Sequence, residues 1–141
     1  MVLQSAPEYL QLAFRSDLQV LVARWMRQPT QQEMREGYNT LLSMARVQAS
    51  CYWLVDTRRR DRANQESTQW MIEVFFPQVA AQLHDRVYVA YLFMPNHLRE
   101  VEADASVPPL TYFDNRPYQV ARFTEEQAAM EWLAHCRRSQ S

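Results

Sequence analysis

The stretch from Cys51 to Val79 constrains the fold of this chain more than any other. It reads CYWLVD, then TRRRDRA, then NQESTQWMIEVFFPQV: an apolar run closed by an acid, a basic loop, and at once an amphipathic segment. An unbroken apolar run of that length suits a central strand buried on both faces. From a start near Asn64, Trp70, Met71, Val74, Phe75 and Val79 recur at helical spacing. Strand, loop and helix in this order make the repeating unit of a parallel α/β sheet, where ligands favour the carboxyl ends of the strands.

The flanking segments extend that unit. Tyr9–Arg15 and Leu18–Met26 predict a hairpin turning at Ser16-Asp17. Leu18, Val20, Val22 and Arg24 would share one face of the second strand, with Leu21, Ala23 and Trp25 on the other. Thr30 with Glu33 three residues on is a capping box. It opens a helix whose Met34, Tyr38, Leu41, Leu42 and Ala45 should face the sheet. Gly37, the only glycine, falls inside that helix, where glycine costs about 1 kcal/mol relative to Ala. A close helix–sheet contact is the expected reason.

Pro77 must kink the second helix or begin a separate turn, because proline removes a backbone donor. Val87–Met94 predicts a further buried strand, and Asn96 is the expected cap of a short helix after it. Residues 104–116 read as an irregular connection. Tyr118–Phe123 predicts the last strand, and Thr124 to Gln127 is a second capping box. The helix it opens carries Ala128, Ala129, Trp132, Leu133 and Cys136 as its apolar positions. The order is β-β-α-β-α-β-α-β-α: a single α/β domain over residues 1–141, with a mixed, mostly parallel sheet and helices packed on it.

Several chemistries find no support in these residues. With 15 basic and 16 acidic side chains the net charge is −1, which gives no bulk attraction to nucleic acid or an anionic membrane. Cys51 and Cys136 have no Cys-x-x-Cys spacing, and His84, His97 and His135 have no ligand spacing, so no metal is expected. A phosphate-cradling loop needs glycines that are not here, and no cofactor is expected. The start MVLQSAPEYLQ lacks a basic region followed by a long apolar core, and no apolar run approaches about 20 residues. A cytoplasmic protein without an integral membrane segment is the expectation. No catalytic constellation is visible, so no enzyme activity is expected.

The candidate site is the loop after the central strand. Arg58, Arg59, Arg60 and Arg62 gather with Asp56 and Thr57 between a strand end and a helix start. Guanidinium groups and free helix amides both attract anions, so a carboxylate, a phosphate or an acidic partner could bind there. The competing reading is a solvated basic loop neutralised by Asp56 and Asp61.

The element order, together with the closing stretch Phe123-Thr124-Glu125-Glu126-Gln127-Ala128-Ala129-Met130-Glu131-Trp132-Leu133, resembles the STAS-like domains. That group contains bacterial anti-sigma-factor antagonists and shares its fold with lipid-binding relatives of the Sec14 class. The shared pattern is F-x-x-x-x-x-A-x-x-W-L. In the antagonists an Asp-Ser pair after the central strand carries a phosphorylated serine. Here Asp56 fits the strand end but Thr57 follows it, and Ser67 is the phosphorylation candidate. The resemblance implies a non-enzymatic regulatory or protein-interaction domain, possible as a homodimer, with an unknown protein partner. The alternative it implies is a carrier or sensor of an acidic or lipid-like small molecule, bound near the strand ends.

Overall fold

The computed structural model describes residues 2–3, 7–60, 65–105 and 107–139, with only the backbone of 2–3 and of Gln65. Asp61, Arg62 and the expected helix start at Asn64 lie outside the described residues. Six strands form one sheet: β1 (Val2–Leu3), β2 (Leu10–Arg15), β3 (Val20–Trp25), β4 (Tyr52–Asp56), β5 (Val87–Leu92) and β6 (Tyr118–Phe123). They lie side by side in chain order. β1 to β3 pair antiparallel, and β3 to β6 run parallel. The two-residue β1 adds to the strands that the sequence predicts.

The hairpin between β2 and β3 is looser than a tight turn. Arg15 opposes Val20, and Ser16–Gln19 forms the connection, with Gln19 in the left-handed region at φ 58°. Leu18 therefore sits in the turn, 37% exposed, and does not begin the strand. Side chains alternate as expected beyond it. Leu21, Ala23 and Trp25 point to what we call the first face, while Val20 and Val22 point to the second.

Helix α1 (Gln31–Gln48) covers the first face and carries the full capping box of Thr30 and Glu33. Gly37 has the predicted role. A Cβ there would come within 2.6 Å of Trp25 Cη2 and 3.2 Å of Leu10 Cδ2, so helix and sheet touch backbone to ring. After β4, helix α2 (Gln65–Trp70) runs into a π-helical stretch at Met71–Phe75 and then α3 (Phe76–Leu83). This is how the chain accommodates Pro77. The Phe76 N–H reaches back five residues to the Met71 carbonyl, and the proline enters α3 in its first turn, where no intrahelical donor is needed.

Helix α4 (Pro95–Ala103) follows β5, and a short 3₁₀ turn at Leu110–Phe113 leads back to β6. The cap of α4 is Met94, not Asn96. Pro95 fits the first helical position because its fixed φ is helical and its missing N–H would have no partner there. Helix α5 (Glu126–Ser139) packs alone on the second face through Ala129, Leu133 and Cys136. Ala128 is exposed, contrary to its expected core role.

Two cores result. The larger one, on the first face, joins Trp25, Trp53, Val55, Val89 and Val120 to α1, α2, α3 and Phe113. Crossovers that step the same way along a sheet with the same hand put their helices on one face, which is why α1 to α3 share it. No helix among the described residues spans 18 residues with the apolarity needed to cross a membrane.

Candidate functional site

The carboxyl ends of β3, β4, β5 and β6 lie together at one edge of the domain, and the basic loop begins there. The loop does not form one cationic surface. Asp56 ends β4 only 6% exposed and faces the second side. It accepts hydrogen bonds from the Arg58 backbone N–H and Nε at 3.0 Å, from an Arg58 terminal nitrogen at 2.8 Å and from Arg24 at 2.9 Å. Arg24 also donates to both oxygens of Glu126, at 2.7 and 3.1 Å, tying β3 to the start of α5. Burial alone would raise the Asp56 pKa, but the bonds from Arg58 and Arg24 outweigh it and hold the carboxyl below its usual range. Arg58 is thus occupied within the fold.

Thr57 is buried, and its hydroxyl donates to the Leu92 carbonyl of the neighbouring strand. Arg59 is exposed, and among the described residues it reaches the Met26 sulfur at 3.8 Å. Arg60 turns to the first face. It is 9% exposed, its guanidinium lies 5.0 Å from the Trp25 ring centroid, and its Nε meets no hydrogen-bond partner among the described residues. Arg62 lies outside the described residues. Ser67 sits in α2 at 6% exposure, so a modifying enzyme would reach its hydroxyl only with that helix opened.

Arg60 opens onto a cavity of about 100 Å³ between the first face and the helix layer. Its walls are mostly apolar, built by Met71, Ile72, Phe76, Phe113 and Val120. The polar groups are few: the Tyr38, Tyr91 and Thr68 hydroxyls and the Arg60 and Arg122 guanidiniums. Strand register explains how they meet. Val55 is paired with Tyr91 and Tyr91 with Arg122, so one row across the first face runs from core valine to tyrosine to arginine. A sheet without a reversal of strand order has no crevice of the switch-point kind. Here the space opens beneath the π-helical stretch instead, where the coil widens next to Met71.

The electrostatics of the cavity are unusual. Arg122 donates to the Pro108 carbonyl at 3.3 Å and has no ion pair among the described residues. Burial pulls its pKa below the usual value, against a weaker opposing pull from Glu102. The Tyr38 and Tyr91 hydroxyls are 3.2 Å apart. Burial first, then Tyr38, pushes the Tyr91 phenol well above its usual pKa, while Arg60 and Arg122 both act to lower it. Two guanidiniums therefore bear on one part-buried hydroxyl. Such charges are costly in an apolar setting unless an anion compensates them.

Arg122 is not among the residues singled out from the sequence. The signal was present: Tyr118, Val120 and Arg122 alternate on β6, so an arginine occupies a core-facing position. No group of three or more His, Cys, Asp or Glu side chains that could hold a metal gathers among the described residues. No protein-family model matches the chain, and no curated protein or solved structure matches it.

Proposed function

We propose that this chain is a small-molecule carrier or sensor that holds an acidic ligand in the first-face cavity without transforming it. The observation that carries the reading is a mostly apolar cavity into which two desolvated arginines, Arg60 and Arg122, project. An acidic head group would supply the charge they lack, and the apolar wall would receive the rest of the molecule. The rival reading, an interaction surface made by the whole basic loop, loses support because Arg58 is already bound to Asp56 and Arg60 faces inward. The STAS-like resemblance belongs to the same proposal. It is supported by the run of elements from β2 to α5, and its lipid-binding relatives also hold small ligands.

Native mass spectrometry of freshly purified protein tests the reading. The expected spectrum shows the chain with a small co-purified mass that is lost under denaturing conditions. A bare monomer or dimer from repeated preparations, with no ligand regained from a cell extract, would return the chain to the interaction class. The surface to examine would then be the groove beside α5 where Ala13, Leu18, Val22 and Met130 lie with Arg15 and Glu126.

A further inference from the structure

The size of the cavity and the placement of its charges say more about the ligand than that it is acidic. We infer that the ligand is a small organic monoanion, with a body of one ring or a short aliphatic chain and a carboxylate-like head set between Arg60, Arg122 and the Tyr91 hydroxyl. This rests on the cavity reading above.

The volume is too small to enclose a lipid. Sites for drug-sized molecules span roughly 300–1,000 Å³, and an apolar cavity of about 150 Å³ accepts benzene. At about 100 Å³ the cavity is smaller than one that encloses benzene, but it opens to solvent. A single ring or a short aliphatic chain can therefore enter with part of its body outside and the head at the arginines.

The charges fix where the head goes. Arg60 enters from the loop after β4 and Arg122 from β6, so they approach the Tyr91 hydroxyl from different elements. Among the described residues the Arg60 Nε is a buried donor with no partner, and Arg122 reaches one carbonyl. A monoanion set between them would give both guanidiniums a partner. The tyrosine pair completes the recognition. With the hydroxyls 3.2 Å apart, Tyr38 can donate to Tyr91, leaving the Tyr91 proton to donate to the ligand. A neutral ligand of the same shape would leave the arginines uncompensated, so charge as well as shape is selected.

Calorimetric titration of the full chain tests this, with benzoate and hexanoate as small acids. Benzyl alcohol serves as the neutral counterpart, palmitate as the lipid and inorganic phosphate as the bare head group. Benzoate or hexanoate should bind, and benzyl alcohol should bind at least about tenfold more weakly, as expected when a charged hydrogen-bonding group is lost. Arg122→Met keeps an unbranched stem but removes the guanidinium and should weaken the acid by at least about tenfold. Should that variant not fold, Tyr91→Phe retains the ring and should still weaken the acid several-fold, roughly the worth of one hydrogen bond to a charged group.

Palmitate bound in place of the small acids would overturn the size inference and leave a lipid carrier. Phosphate bound as tightly as the acids would overturn the role of the apolar body. Acid binding unchanged in both variants would overturn the placement of the head. If no probe bound, and the native mass spectrum were also bare, the carrier reading would fall with it.

Discussion

At the residue scale, Gly37 is the position where the backbone leaves no freedom. The Cβ of any other residue would overlap the Trp25 ring, which is itself held between Tyr9, Tyr38 and Arg60. Gly37→Ala gains about 1 kcal/mol of helix propensity but overpacks a core contact, a change that typically costs about 1–3 kcal/mol. We expect a net loss of up to about 2 kcal/mol, read as a lower urea midpoint with unchanged slope. Unchanged or raised stability would mean that Trp25 can swing aside. Gly37 could be understood from the sequence because a lone glycine in an otherwise good helix needs a reason, and close approach is the commonest. Arg60 could not. Nothing in RRRDR says which guanidinium turns under the sheet, because that depends on backbone angles in a loop that carries no periodic pattern.

At the scale of elements, the domain is held at its carboxyl edge by Arg24, which joins the end of β4 through Asp56 to the start of α5 through Glu126. The bond from Arg24 is the largest influence on Glu126 and holds its carboxyl below the ordinary 4.5. A carboxylate whose pKa is lower folded than unfolded stabilises the protein above its unfolded pKa and loses that contribution as pH falls through the folded value. Asp56 and Glu126 both have this sign. So does Glu33, which is drawn down to about 2, by Arg27 foremost. Acid should therefore weaken the fold progressively below the ordinary carboxylate range. Glu126→Gln should cost about 1 kcal/mol at neutral pH, since the pair is partly exposed, and flatten the acid branch of the stability curve. A curve parallel to that of the parent would show that Arg24 finds full compensation in Asp56 alone.

The same elements show why the sequence revealed strands and helices but not where the cavity lies. Period two in β3, β5 and β6 and period near 3.6 in α1 and α5 follow from backbone geometry, so they appear directly in the spacing of apolar residues. The π-helical stretch at Met71–Phe75 has no such period. Pro77 signalled only that the helix had to change, and the widened coil that makes room beside Met71 became visible only in three dimensions. The core-facing position of Arg122 was readable from its strand, but its meeting with Tyr91 depended on the register between β5 and β6.

At the scale of the whole molecule, one face of the sheet carries aromatic rings packed in sequence from Tyr9 through Trp25, Tyr38, Trp70 and Phe75 to Phe76 and Tyr118. The cavity lies along this chain of rings, and the guanidiniums of Arg60 and Arg35 sit over Trp25 and Trp70 at 5.0 and 5.8 Å. The protein thereby contains its own optical reporter. Indole emission shifts when a nearby charge moves, and an occupant that draws Arg60 toward itself must move it relative to Trp25. Titration with a bound ligand should change the colour and yield of tryptophan fluorescence. Trp25→Phe should abolish most of that change while leaving the emission of the other three tryptophans, Trp53, Trp70 and Trp132.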